Sequence, residues 1–212
     1  MSIRNHGSLA LIGLLFALPT SAAAQSSTPP PRVSFGAGIG VAVPAYEDMN
    51  ATPRAWEADV RLAVARHLLL EVAFGEWRHS DTHVTYNLPV NGGVIGRLEE
   101  TTTRRERTMQ ANLLGTGAHG RVRFTGGGGV GFLDYHRQFR QETSDCSPQI
   151  KCGAYESPFS SSSMTVQGVG GVDVRLVGGL AAYGQVRLTI PLPDPSGGGV
   201  RFMTGVRWGF GK

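Results

Sequence analysis

The stretch "VRFMTGVRWGFGK", residues 200–212, decides how the rest of the chain is read. Val200, Phe202, Thr204, Val206, Trp208 and Phe210 occupy every second position, with Arg201, Met203, Gly205, Arg207 and Gly209 between them. Side chains of a β-strand alternate between its two faces, so this segment shows aromatics to one side and arginine to the other. The same period of two recurs upstream. Val33 to Val43 alternates apolar residues with Ser34, Gly36, Gly38 and Gly40. Trp56 to Ala65 alternates them with Glu57, Asp59 and Arg61, and Leu70 to Gly75 with Glu71. Met109, Ala111 and Leu113 stand against Thr108, Gln110 and Asn112. Further segments start at Val122 and run over Met164–Leu176 and Ala182–Ile190. Leu133 and Tyr135 fall on the parity opposite to Phe132, which leaves the register after the glycines of "GGGGVGF" open; a bulge there would explain the switch.

Eight strands result, and their connections alternate long, short, long, short, long, short, long. The long ones include polar segments at about 79–105 and 138–162, and the short ones are Arg66-His67, "GTGAHG" and "VGGL". A soluble sandwich or ligand-carrying barrel gives no reason for that rhythm. A transmembrane barrel does, because its periplasmic turns are short and its extracellular loops long. The expected fold is therefore all-β: an eight-stranded antiparallel up-and-down transmembrane β-barrel.

Composition fits this reading. Arg4, the apolar run Leu9–Leu18 and the small residues Ala22–Ala24 have the layout of a secretory signal peptide over 1–24. A proline-rich periplasmic spacer at 25–31 and a barrel domain at 32–212 follow. Loss of Arg4 would take the formal charge from +4 to +3. So slight a bias, with the basic residues scattered, excludes a nucleic-acid partner. Thirty glycines suit sharply bent strands and close turns. Cys146 and Cys152, alone in an exported chain, are expected to form a disulfide.

Alternation by itself does not say which face meets lipid. The non-apolar face carries small residues (Gly36, Gly38, Gly40, Ala63, Ala73, Gly75), as the concave wall of a narrow barrel requires. Its charged residues are of both signs, and its cations are arginines. Lys151 and Lys212 are the chain's only lysines. Arginine's planar fork suits enclosed ion pairs. A lumen charge network is thus expected from Glu57, Asp59, Arg61, Glu71, Arg123, Asp173, Arg175, Arg187 and Arg207. Aromatics at strand ends form two expected girdles. Phe35, Phe124, Trp208 and Phe210 mark one, and Trp56, Phe74, Trp77 and Phe202 the other.

With these residues in hand, the chain resembles the small eight-stranded outer-membrane barrels: the OmpA-type transmembrane domain and the related OmpX, OmpW and opacity-protein families. The resemblance covers Arg32 to Lys212. It includes "VRWGF", which is similar to the terminal signal read by the barrel-assembly machinery, although Gly211 and Lys212 follow Phe210. It implies a bacterial outer-membrane location and contact with outer-membrane lipid and lipopolysaccharide. It also implies a monomer without cofactor, metal or chemistry of its own, acting structurally or through its loops. A passage for small or apolar solutes in the OmpW manner is the alternative, since the small residues of strand one leave room. A lipid A-modifying enzyme comes third.

Other motifs have plainer accounts. "GAGIGV" and "GGGGVG" lack the following helix that a phosphate loop needs. His79, Asp81 and His83 are a thin metal-ligand set in a loop. Adjacent His79 and Ser80 point to opposite strand faces, and Ser160–Ser163 reads as flexible linker rather than a partner for His136. The arginines of "TTTRRERT", 101–108, read as a solvated strand end beside Glu99, Glu100 and Glu106 before they read as a lipopolysaccharide contact.

Overall fold

The structure is a computed structural model describing residues 30–45, 52–90, 93–148, 150–192 and 198–211. The expected signal peptide and most of the proline-rich spacer lie outside the described residues. Eight strands follow in order: β1 (Val33–Pro44), β2 (Arg54–Ala65), β3 (Leu68–Val90), β4 (Gly93–His119), β5 (Val122–Cys146), β6 (Ala154–Val177), β7 (Leu180–Leu192) and β8 (Gly199–Phe210). Each pairs with its sequence neighbours, and β1 closes on β8 to complete a barrel. Closure matters energetically, because in hydrocarbon every backbone amide and carbonyl must be paired within the protein.

The register places alternate residues as the sequence pattern requires. In β8, Arg201, Met203 and Arg207 are buried, while Phe202, Val206, Trp208 and Phe210 are exposed. An apolar residue that is exposed on a barrel wall faces lipid, which is why the usual inside-out rule is inverted here. Gly36 stands opposite Asp59 on β2 and opposite Arg207 on β8. A Cβ at Gly36 would fall on the Asp59 carboxylate, and one at Gly38 on the Tyr183 hydroxyl. Strand one is therefore glycine-rich because its neighbours' side chains occupy the space.

The chain divides into two compact units: Met1–Trp77, Arg107–Leu133 and Ser163–Lys212 in the first, Arg78–Glu106 and Asp134–Ser162 in the second. The second corrects the sequence reading. Residues 79–90 and 93–105 are strand and not loop, as are 138–146 and 154–162, and Ser160–Ser163 lies in β6 and is not a linker. Hydrophobic alternation disappears where both strand faces meet polar surroundings, and pairing is then carried by polar contacts such as Ser80 Oγ to Thr103 Oγ1 (3.2 Å) and Thr82 Oγ1 to Thr101 Oγ1 (3.1 Å). The β5–β6 connection is closed by the Cys146–Cys152 disulfide, with Cα atoms 5.8 Å apart. Backbone bonding of Thr143 to Gly153 (2.9 Å) supports it.

One open register is resolved and one further expectation is corrected. β5 does not switch parity after its glycines: Val130 and Phe132 are exposed, while Leu133 and Tyr135 are buried on the inward face. A lumen filled by side chains takes apolar residues as well as charged ones, so inward Leu133 needs no bulge. Trp77 is 2% exposed and packs with Ala42, Ala55, Tyr183 and Met203 inside the barrel, not in a girdle. Its position follows Glu71, Ala73 and Gly75 along the inward parity of β3.

The inward glycines of β5 give a direct test. A Cβ at Gly129 would strike the Ala111 carbonyl of the neighbouring strand, whereas nothing lies within 4 Å of one at Gly170. Gly129→Val is expected to cost several kcal/mol, at or above the ~1–3 kcal/mol of ordinary overpacking. The heat-modifiable folded band on unheated gels should be lost in Gly129→Val and kept in Gly170→Val.

Candidate functional site: the charged lumen

The inward residues of β2 are Glu57, Asp59 and Arg61, all buried. Facing them are Glu71 of β3, Asp173 of β6, Arg187 of β7, and Arg201 and Arg207 of β8. Arg61 Nε donates to Glu71 Oε2 at 2.7 Å, and its Nη1 reaches Asp173 Oδ2 at 3.5 Å. Arg187 Nη2 donates to Glu57 Oε1 (2.7 Å) and Glu71 Oε1 (3.0 Å). Arg207 Nη2 donates to Asp59 Oδ2 at 2.8 Å, while its Nη1 binds Asp173. Arg201 Nη1 lies 3.9 Å from Glu57 Oε2. These eight groups balance, four arginines against four carboxylates. With Arg187 and Glu71 at 0% exposure, the balance is a requirement: one charge left without its partner in this setting costs ~3–5 kcal/mol.

Neutral polar residues add further hydrogen bonds. Gln110 Oε1 accepts from Arg187 Nη1 at 2.6 Å, and Asn112 Nδ2 donates to Glu71 at 3.0 Å. Gln185 accepts from Arg61 at 3.0 Å and donates to Glu57 at 2.6 Å. The Arg207 guanidinium carbon sits 4.2 Å from the centre of the Tyr183 ring, a cation–π contact. The expected network omits Arg201, although it is charged, and selection by charge misses Gln110, Asn112, Gln185 and Tyr183. All five stand on the inward parity of their strands, and that parity is the signal that finds them. A second inward cluster, Leu69, Leu114 and Val169, is wholly apolar.

Two expected members stand elsewhere. Arg175 is exposed and takes no place in the ring. It lies next to the register shift between Arg175 and Val177, short of the Gly178-Gly179 turn, where it lines the barrel mouth. Arg123 is half-buried and lines the same mouth. Outside the barrel wall, Phe35 packs edge-on against Phe210 and Trp208 lies beside Phe210, both pairs at 6.1 Å. Trp56 and Phe74 meet at 5.4 Å. Phe124 and Phe202 are likewise exposed.

The second unit holds the remaining candidates. Ser160 Oγ lies 2.6 Å from His136 Nδ1, and Ser162 Oγ donates to Asp134 Oδ1 at 3.1 Å. A nucleophile and base are thus adjacent, but Asp134 engages the neighbouring serine and not the histidine it would have to orient. His79, Asp81 and His83 share one strand face, and among the described residues no group of three such ligands is placed to hold a metal. Glu106 is buried rather than solvated, and Arg107 Nε pairs with Glu76 at 3.0 Å.

No protein-family model and no curated protein matches the sequence. Solved structures do. The chain is similar to Ail, the attachment invasion locus protein of Yersinia pestis, in complex with the heparin analogue sucrose octasulfate. That match has 12% identity and a TM-score of 0.50, covering 84% of this chain and 96% of that one. A backbone structure of the same Yersinia pestis outer membrane protein in a phospholipid bilayer nanodisc matches at 12% identity and a TM-score of 0.42, covering 85% and 99%. Neisserial surface protein A matches at 10% identity and 0.43, covering 86% and 100%. At such identities the likeness concerns architecture alone. The chain has the fold of the small eight-stranded outer-membrane β-barrels.

Buried and exposed ion pairs should respond differently to truncation. Arg187→Met removes the closest cation from Glu57 and one of two from Glu71, and is expected to lower unfolding free energy by ~3–5 kcal/mol in vesicles titrated with urea. Arg97→Met, which breaks the solvent-facing 2.6 Å pair with Glu99, should cost less than ~1 kcal/mol.

Proposed function

We propose that the protein is a non-enzymatic, monomeric barrel of the bacterial outer membrane that works by presenting its long hairpins to an outside partner. The observation that carries this is the division of strand lengths. β1, β2, β7 and β8 have 12 or 13 residues, close to the ~9–11 needed to cross a bilayer. β3–β6 have 23 to 27, roughly twice that requirement. The surplus forms the second unit, whose Tyr86, Tyr155 and Phe159 are exposed. Aromatic residues in a polar surround are the usual anchors of protein interfaces.

The lumen supports a closed barrel over a channel. Ion pairs and amides link six of the eight strands across it, and Trp77, Tyr183 and Met203 pack within it. Exposed aromatics near both strand ends would sit at the lipid interfaces, with lipid chains against the apolar belt and the assembly machinery reading the β8 pattern during insertion. In planar bilayers the folded protein should add no conductance above background; stepwise openings would instead favour the solute-channel reading. A variant with both hairpins cut back to the membrane-crossing length should still fold and fractionate with the outer membrane. The full chain is expected to confer adhesion to protein-coated surfaces on cells that display it, and the shortened variant to lose it; equal adhesion would refute the hairpin role.

A second reading rests on the Ser160–His136 contact, which is the arrangement a lipid-modifying hydrolase would use. Overexpression is expected to leave the lipid A mass unchanged. Loss of one acyl chain that disappears in Ser160→Ala would establish the enzyme instead.

A further inference from the structure

Three neutral side chains of the lumen are buried, yet each leaves a polar atom that no described residue engages: Gln110 Nε2 on β4, Gln167 Oε1 on β6 and Thr189 Oγ1 on β7. Gln110 and Gln167 are each 2% exposed and Thr189 is 3% exposed. A buried amide or hydroxyl without a hydrogen bond is costly, so such groups in folded proteins are matched by another group or by an ordered water.

The far end of each amide is already engaged, and that fixes what the near end offers. Gln110 Oε1 accepts from Arg187 Nη1 at 2.6 Å, so Nε2 is the end left to donate. Gln167 Nε2 donates to Thr165 Oγ1 at 3.1 Å, so Oε1 is the end left to accept. Gln167 and Thr189 are direct partners in the β6–β7 ladder. Such partners have Cβ atoms ~4.5–5.5 Å apart on one face. Between β4 and β6 runs β5, and there Gly131 is the deciding residue. A Cβ at Gly131 would fall 2.8 Å from Gln167 Nε2 and 3.1 Å from the Gln110 Cα. The missing side chain lets the Gln167 amide lie across β5 toward Gln110. Arg187, which holds Gln110, stands two positions from Thr189 on β7. The contacts thus run from β4 to β7, across to β6, and back over β5.

One donor, one acceptor and one hydroxyl converge from three strands. A buried water typically makes about three hydrogen bonds, with two donors and two acceptors of its own to place. We propose that this spot binds a single structural water, which accepts from Gln110 Nε2 and donates to Gln167 Oε1 and Thr189 Oγ1. The water joins β4, β6 and β7 beside the ion-pair ring. A direct bond between the two glutamines would satisfy their amides and leave the Thr189 hydroxyl unmatched. The site is independent of the hairpins and of the Ser160–His136 pair.

The full chain is crystallised from detergent, at a resolution that shows ordered solvent. A density peak within hydrogen-bonding distance of all three groups is expected. That peak should be lost in Gln167→Met/Thr189→Val, two changes that keep side-chain volume and leave one partner of three. It should persist in Ser80→Ala, which removes an exposed hydroxyl of the second unit. If the double variant loses its heat-modifiable folded band, the near-isosteric Thr189→Val replaces it, with lower occupancy of the peak expected. No peak in the wild-type chain, a direct Gln110–Gln167 bond in its place, or equal occupancy in wild type and variant overturns the proposal.

Discussion

The structure depends on a neutral balance of charge inside a closed wall. Arg61, Arg187, Arg201 and Arg207 meet Glu57, Asp59, Glu71 and Asp173 in a space that water hardly enters. Burying each of these ions alone would cost several kcal/mol, and their mutual attraction compensates only when hydrogen bonds satisfy the remaining polar atoms. Gln110, Asn112 and Gln185 supply part of those bonds. The arrangement explains why arginine is used almost to the exclusion of lysine: one guanidinium reaches two acids on different strands, as Arg187 does with Glu57 and Glu71.

From this constraint other features follow. A ring that crosses the lumen needs room, and glycines on β1 and β5 give it. Gly36 leaves space for Asp59 and Gly38 for Tyr183, while inward glycines on β5 let β4 approach. The ring also divides the interior. An apolar cluster of Trp77, Tyr183, Met203, Ala42 and Ala55 is distinct from a second one of Leu69, Leu114 and Val169. A narrow barrel so filled gains its stability from side chains that a wider pore would leave hydrated.

Charge is distributed in two regimes. The lumen ring is balanced. The second unit pairs charges in solvent, as in Arg97–Glu99 and Arg140–Glu142, where they contribute little to stability.

The number of strands and their up-and-down order were legible in residues 33–210, because strand alternation is a local property, and the Cys146–Cys152 link was legible because the pair is close in sequence. The sidedness of Glu57, Asp59, Arg61 and Arg207 could be read in the same way. Which acid meets which arginine could not: Arg207 and Asp59 lie 148 positions apart and become neighbours only when β8 closes on β1 and β2. Trp77 and Leu133 were ambiguous for a related reason, since a large apolar residue suits either hydrocarbon outside or a packed interior, and only the completed wall chooses. The long hairpins of β3–β6 left no hydrophobic period because neither of their faces needs one. The sequence by itself determined a two-faced ribbon repeated eight times; ring closure decided the pairing, because charges can balance across a lumen only once the lumen exists.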